Sequence, residues 1–110
     1  MNMMTVDGFH ARIDYDPDTD SFRGEILGLT GGADFYGQNP KALRAEFRKS
    51  LAVFLSVCQE KGIEPRRSFS GKFNLRIPPE LHERVALVAE AEGKSINTLA
   101  HEALLQRVAA

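Results

Sequence analysis

Four carboxylates crowd one short stretch of the chain, Asp14, Asp16, Asp18 and Asp20, with Glu25 close behind. Asp14, Asp16, Asp18 and Glu25 match the first, third, fifth and twelfth positions of a calcium-binding loop, which gathers oxygen ligands at that spacing. The sixth position of such a loop needs glycine for its sharp turn. Here it is Thr19, and Pro17 sits inside the loop. A hairpin turn rich in aspartate accounts for the same residues. Hydrolysis by two metal ions would require acids converging from separate strands. These cluster on one turn, and a fourth convergent acid has no source. The lone thiol, Cys58, has no adjacent histidine to activate it as a nucleophile. His10, His82 and His101 are scattered, with no nucleophile beside them. The expectation is therefore a non-enzyme with no catalytic residue, metal or cofactor.

A second set of residues suits recognition rather than reaction. Lys72, Asn74 and Arg76 alternate with Phe73, Leu75 and Ile77. In a strand they would share one face, with the apolar residues on the other. Lysine and arginine fit the O6 and N7 acceptors of guanine, asparagine fits N6 and N7 of adenine, and a two-stranded ribbon fits the major groove. The three are the expected base contacts.

The elements that must place these groups follow from pattern. Phe9 to Tyr15 alternates, with Phe9, Ala11, Ile13 and Tyr15 on one face, which predicts a half-buried strand. Pro17 and its flanking aspartates supply a turn, and Ser21 to Leu29 returns as the second strand of a hairpin. Gly31 and Gly32 break it, and a short strand over Asp34 to Gly37 follows. Asn39 caps a helix with Pro40 at its first position. Leu43, Phe47, Leu51, Phe54, Leu55 and Cys58 form its apolar stripe, and Gly62 ends it. Cys58 is read as a core residue of that stripe. Residues 63–71 read as a connecting segment, with the linker proper at 66–71. Beyond the alternating strand 72–77, one helix carries Leu81, Val85, Val88 and Ala89 and ends at Gly93. Ser95 caps another carrying Ile96, Leu99, Ala100, Ala103, Leu104 and Val108.

A strand and two helices in 39 residues lie near the ~40-residue limit below which one core seldom suffices. A lone strand also leaves its backbone groups without ladder partners. Both difficulties disappear in a homodimer whose two strands pair antiparallel. Phe73, Leu75, Ile77, Leu81, Val85, Val88, Ile96, Leu99 and Leu104 would then build one shared core. Residues 1–65 form the other expected domain and residues 72–110 this one.

Phe73-Asn74-Leu75-Arg76-x-Pro78, Glu80, Val85-x-x-Val88-Ala89-Glu90 and Gly93-x-Ser95-x-Asn97 resemble the ribbon-helix-helix DNA-binding module of the Arc type, a β-ribbon reader. The resemblance implies base contacts at Lys72, Asn74 and Arg76. It also implies phosphate contacts at Ser95, Ile96 and Asn97, where helix N–H groups and the dipole favour an anion. Lys94 stands beside that terminus and joins the phosphate set. Tyr15-Asp16-x-Asp18, Phe22-x-Gly24-x-Ile26, the helix stripe from Leu43 to Phe54, and Gly62-x-x-Pro65 through Ser70-Gly71-Lys72 to Pro78 together resemble the HicB family of antitoxins. That family implies an α/β (α+β) chain with two parts. The first is a small antiparallel sheet with one helix, like a truncated ribonuclease H, which caps a HicA-like mRNA-cleaving toxin. The second is a ribbon-helix-helix that binds operator DNA as a dimer or higher oligomer and represses the operon.

Charge is uneven along the 110 residues. Residues 1–36 hold seven acids against Arg12 and Arg23, a net −5; residues 37–71 carry +4, and residues 72–110 sum to zero. A DNA-binding segment of zero net charge must place its few cations well. No apolar run approaches the ~18 residues of a membrane span. The start Met1 to Thr5 lacks the pattern of a signal peptide. A single cysteine suits a reducing cytoplasm. A stand-alone repressor without a toxin is the first alternative function, and a metal-dependent nuclease the second.

Overall fold

A computed structural model describes residues 2–109; the terminal residues of the two expected domains, Met1 and Ala110, lie outside them. The fold is mixed α/β, and its contacts divide the chain between Ser70 and Gly71. The first unit holds β1 (Met3–Val6), β2 (Phe9–Asp16), β3 (Ser21–Ile26), β4 (Asp34–Gly37) and α1 (Pro40–Lys61). The second holds α2 (Pro79–Ala91) and α3 (Ile96–Val108).

The four strands form one antiparallel sheet in chain order. β1 was not expected from pattern. It is joined to β2 by Asp7-Gly8, both at positive φ (51° and 78°), with Val6 opposite Phe9. Two successive left-handed residues match the right-handed twist of the strands they connect, and Asp-Gly adopts them readily. In the β2–β3 turn, Asp16 Oδ1 accepts the Asp18 N–H at 3.0 Å, the aspartate turn chemistry that the sequence predicts. β3 is shorter than expected. It stops at Ile26, and Leu29 instead bridges to Arg66.

α1 forms as its caps dictate. The Asn39 side chain accepts the Ala42 N–H, Pro40 opens the helix, and Gly62 closes it at φ 66°. Leu43, Phe47 and Leu51 bury against Val6, Ala11, Ile26, Leu29 and Phe35, with Phe47 fully enclosed. Cys58 is buried too, as its place in the stripe requires.

The segment expected to link the domains begins as part of the first unit. Thr30 N–H donates to the Pro65 carbonyl (3.0 Å) and Arg67 N–H to the Gly28 carbonyl (2.9 Å). The Arg66 guanidinium lies 3.8 Å from the centre of the Phe9 ring. These bonds satisfy backbone groups of the β3–β4 loop that would otherwise depend on water.

In the second unit, Pro79 sits at the start of α2 and Glu80 lies in its first turn, where a carboxylate suits the helix dipole. Gly93 at φ 68° ends the helix, with Lys94 N–H returning to the Ala89 carbonyl at 2.8 Å. Ser95 accepts the Thr98 N–H and caps α3. Residues 72–77, expected as a strand, form none here. A ladder needs a second strand, and none of the strands among the described residues pairs with this segment.

Candidate nucleic-acid interface and partner surface

The second unit is almost coreless as a single chain. Ala89 is its one buried apolar residue among those described. Ile77, Val85 and Leu99 are half-buried. Phe73 is 72% exposed, Leu75 63%, Leu81 44%, Val88 45%, Ile96 42% and Leu104 46%. These include six of the nine residues expected in the shared core, and all nine remain at least partly open to solvent. Two helices and one extended segment cannot cover them. Leu87, Leu105 and Val108 are exposed as well, outside the expected core set.

Lys72, Asn74 and Arg76 are exposed along the segment that leads into α2. At the far end of the α2–α3 turn, α3 presents its first N–H groups around Ile96 and Asn97, both exposed. The Ser95 hydroxyl is committed to capping: its oxygen accepts the Thr98 N–H at 3.0 Å and its O–H donates to Thr98 Oγ1 at 2.9 Å. An anion at this terminus would therefore be met by backbone N–H groups more than by that hydroxyl.

Lys94, expected beside the phosphate, is ion-paired within the chain. Its Nζ donates to Glu102 Oε2 at 2.6 Å and lies 3.3 Å from Glu92 Oε1. The Glu102 bond, followed by the Glu92 bond, raises the Lys94 pKa, so the ammonium persists well into alkaline solution. The ion pair ties the turn to the middle of α3. A DNA phosphate would have to compete with two carboxylates for this cation. The spacing Glu92, Lys94, Glu102 carries the signal, but i,i+8 across a capped turn is not a pattern that helix periodicity reveals.

Residues 54–104 match the model of the HicB family. That match runs from the last turns of α1 through most of α3, a little under half of the chain. No curated protein and no solved structure matches the chain.

The HicB match leaves β1–β4 outside it, so the surface of the first unit must be read from geometry. The face of the sheet opposite α1 carries a charged network. Arg12 meets Glu25 at 2.9 Å and Asp14 at 3.3 Å, and Arg23 meets Asp34 at 3.1 Å. The Asp34 bond is the main reason that the Arg23 pKa is raised. These are partly exposed pairs, of which each contributes little to stability. The acids singled out for metal binding are thus divided: Asp14 and Glu25 pair with Arg12, Asp16 organises the hairpin turn, and Asp18 is exposed. Among the described residues, no group of three His, Cys, Asp or Glu could hold a metal ion. His10 shares a 2.8 Å hydrogen bond with Thr5 Oγ1, while His82 and His101 are exposed on their helices. No helix among the described residues is long and apolar enough to cross a membrane.

Proposed function

We propose that this chain is the antitoxin of a type II toxin–antitoxin pair. Its first unit binds and neutralises a HicA-like mRNA-cleaving ribonuclease, and its second unit represses the operon by binding operator DNA as a homodimer. The HicB match over residues 54–104 carries the reading. The open apolar set of the second unit supports the dimer, because burying a Phe or Leu side chain yields about 1.5–3 kcal/mol and a two-fold partner doubles each contribution. In that dimer, segments 72–77 would pair as a ribbon and set Lys72, Asn74 and Arg76 toward base edges. The α3 terminus at Ser95, Ile96 and Asn97 would clamp the phosphate. The protein acts by binding alone and needs no cofactor.

The test is co-expression with the product of the neighbouring short reading frame. Growth arrest and mRNA loss caused by that product should be reversed by this chain. The purified chain should also retard DNA from its own promoter. Retardation without any rescue would leave the stand-alone repressor as the correct description, and Mg²⁺-dependent cleavage by the chain itself would favour the nuclease.

A further inference from the structure

The inward face of the β2–β3 hairpin is incompletely covered. At the end where α1 begins, Met4, Ile13, Tyr15, Phe22, Pro40 and Leu43 line an open hollow of about 250 Å³. Its origin is local. Gly37 pairs with Phe22, and the helix starts at Pro40 before turning back over the sheet. Gly37 and the first turn of the helix approach closely beside the hollow: a Cβ there would stand 2.7 Å from the Leu43 backbone. Met4, Ile13 and Phe22 rest on the core, while Tyr15 remains 54% exposed as the outer wall.

The wall is flanked by acids. The Tyr15 hydroxyl donates to Asp20 Oδ1 at 2.7 Å. That bond is the leading cause that raises the phenol pKa, and Asp16 caps the same turn by accepting the Asp18 N–H. Asp18 is exposed on the same turn. Several cations next to the lining in sequence are engaged elsewhere. Arg12 and Arg23 pair on the opposite sheet face, and Arg44 donates to the Thr5 carbonyl at 3.1 Å. Lys41, exposed beside Pro40, is the cation on the helix side.

We propose that this hollow takes one large apolar side chain from a small basic protein, with Asp16, Asp18 and Asp20 meeting cations that flank that side chain. The proposal rests on the antitoxin reading and names where its partner docks. A hollow of this size suits a single anchoring side chain rather than a drug-sized ligand. Interface energy concentrates in such anchors. The acidic rim selects a cationic neighbour and hastens encounter. A second copy of this chain fits less well, because a two-fold contact through the hollow would bring two acidic hairpins together.

The test measures binding of the full chain to the neighbouring frame's product across a salt series, with thermal unfolding as the control for folding. Three forms are compared. Met4→Trp fills the hollow. The double substitution Asp16→Asn/Asp20→Asn removes charge but keeps the turn, since asparagine can accept the Asp18 N–H and tolerates the positive φ at position 20. Tyr15→Ala removes the exposed wall and serves if Met4→Trp does not fold. Filling the hollow should weaken binding about thirtyfold. Neutralisation should weaken it roughly fivefold and flatten the salt dependence. A folded Met4→Trp or Tyr15→Ala that binds as tightly as the unaltered chain overturns the docking site and leaves the antitoxin role standing. An unaltered chain that does not bind the product overturns both. Self-association abolished by Met4→Trp would assign the hollow to a second copy and overturn the proposal.

Discussion

Gly24 faces the ring of Phe35 directly across the β3–β4 ladder, and any side chain at position 24 would overlap that ring. Phe35 in turn stacks on Phe47, with centroids 4.8 Å apart and planes inclined by 27°. The glycine is thus the space into which a core aromatic is packed. Gly24→Ala should destabilise the first unit by about 1–3 kcal/mol, since Phe35 is held from behind by a fully buried ring. Phe35→Leu in the Gly24→Ala background should recover part of that loss. Denaturant unfolding of the four members of the cycle measures the coupling, and additive effects would contradict this packing.

Much of the first unit was legible because its signals are local. Asn39-Pro40 and Gly62 mark the ends of α1, and the three- and four-residue steps from Leu43 to Cys58 name its buried face. β1 was missed although Asp7-Gly8 carries the strongest short-range hairpin signal, since Met3–Val6 is too short to show a period. The tether of Pro65, Arg66 and Arg67 to the β3–β4 loop is not a pattern either, because backbone hydrogen bonds between distant segments leave no trace in side-chain periodicity. The caps at Gly93 and Ser95 were readable for the same reason as those of α1. Residues 72–77 form no strand within one chain; in the proposed dimer their ladder lies between two chains, where a single chain cannot display it. The bond from Lys94 to Glu102 was not legible either, because it joins a turn to the middle of the following helix.

Leu75 is 63% exposed on a segment without a ladder partner. In the proposed dimer it lies at the centre of the ribbon's inward face. Leu75→Glu should therefore convert the chain to a monomer at micromolar concentration and abolish operator binding. Sedimentation equilibrium reads the first effect and gel retardation the second. The unaltered chain should show an unfolding midpoint for the second unit that rises with concentration, because association and folding are linked. A dimeric Leu75→Glu variant would remove the ribbon from the interface.

Tyr15 and Asp20 predict a titration. The bond to Asp20 leads the causes that raise the Tyr15 pKa above the ordinary tyrosine value of about 10. A raised value in the folded state means that the native form holds this proton more tightly. Its stabilising contribution is therefore complete below pH ~10 and is lost as pH rises through the folded pKa. In a Tyr36→Phe background, phenolate absorbance reports Tyr15 alone, since the chain has two tyrosines. Its midpoint should lie above 10 and fall when Asp20 is replaced by asparagine. An unchanged midpoint would show that the hydrogen bond does not persist in solution.

Asn74 and Lys94 should fail in different ways. Asn74 is exposed in the middle of the proposed ribbon, and an amide can accept from N6 and donate to N7 on the major-groove edge of adenine. Asn74→Ala should therefore lose roughly 1–3 kcal/mol of discrimination at one base step per half-site. Lys94 would meet only the backbone, so Lys94→Ala should weaken binding to all sequences alike. The change in salt slope should stay below the value of roughly one counterion per subunit expected for an unpaired lysine. The reason is the pairing with Glu102 at 2.6 Å and Glu92 at 3.3 Å, which already neutralises part of the charge. Glu102→Gln should act in the opposite direction, releasing Lys94 toward phosphate, tightening binding to any DNA and steepening the salt dependence. Operator and scrambled DNA titrated over a salt series separate these outcomes. Equal losses on both DNAs for Asn74→Ala would remove the ribbon as the reading element. Identical salt slopes for Glu102→Gln and the unaltered chain would place Lys94 away from the phosphates.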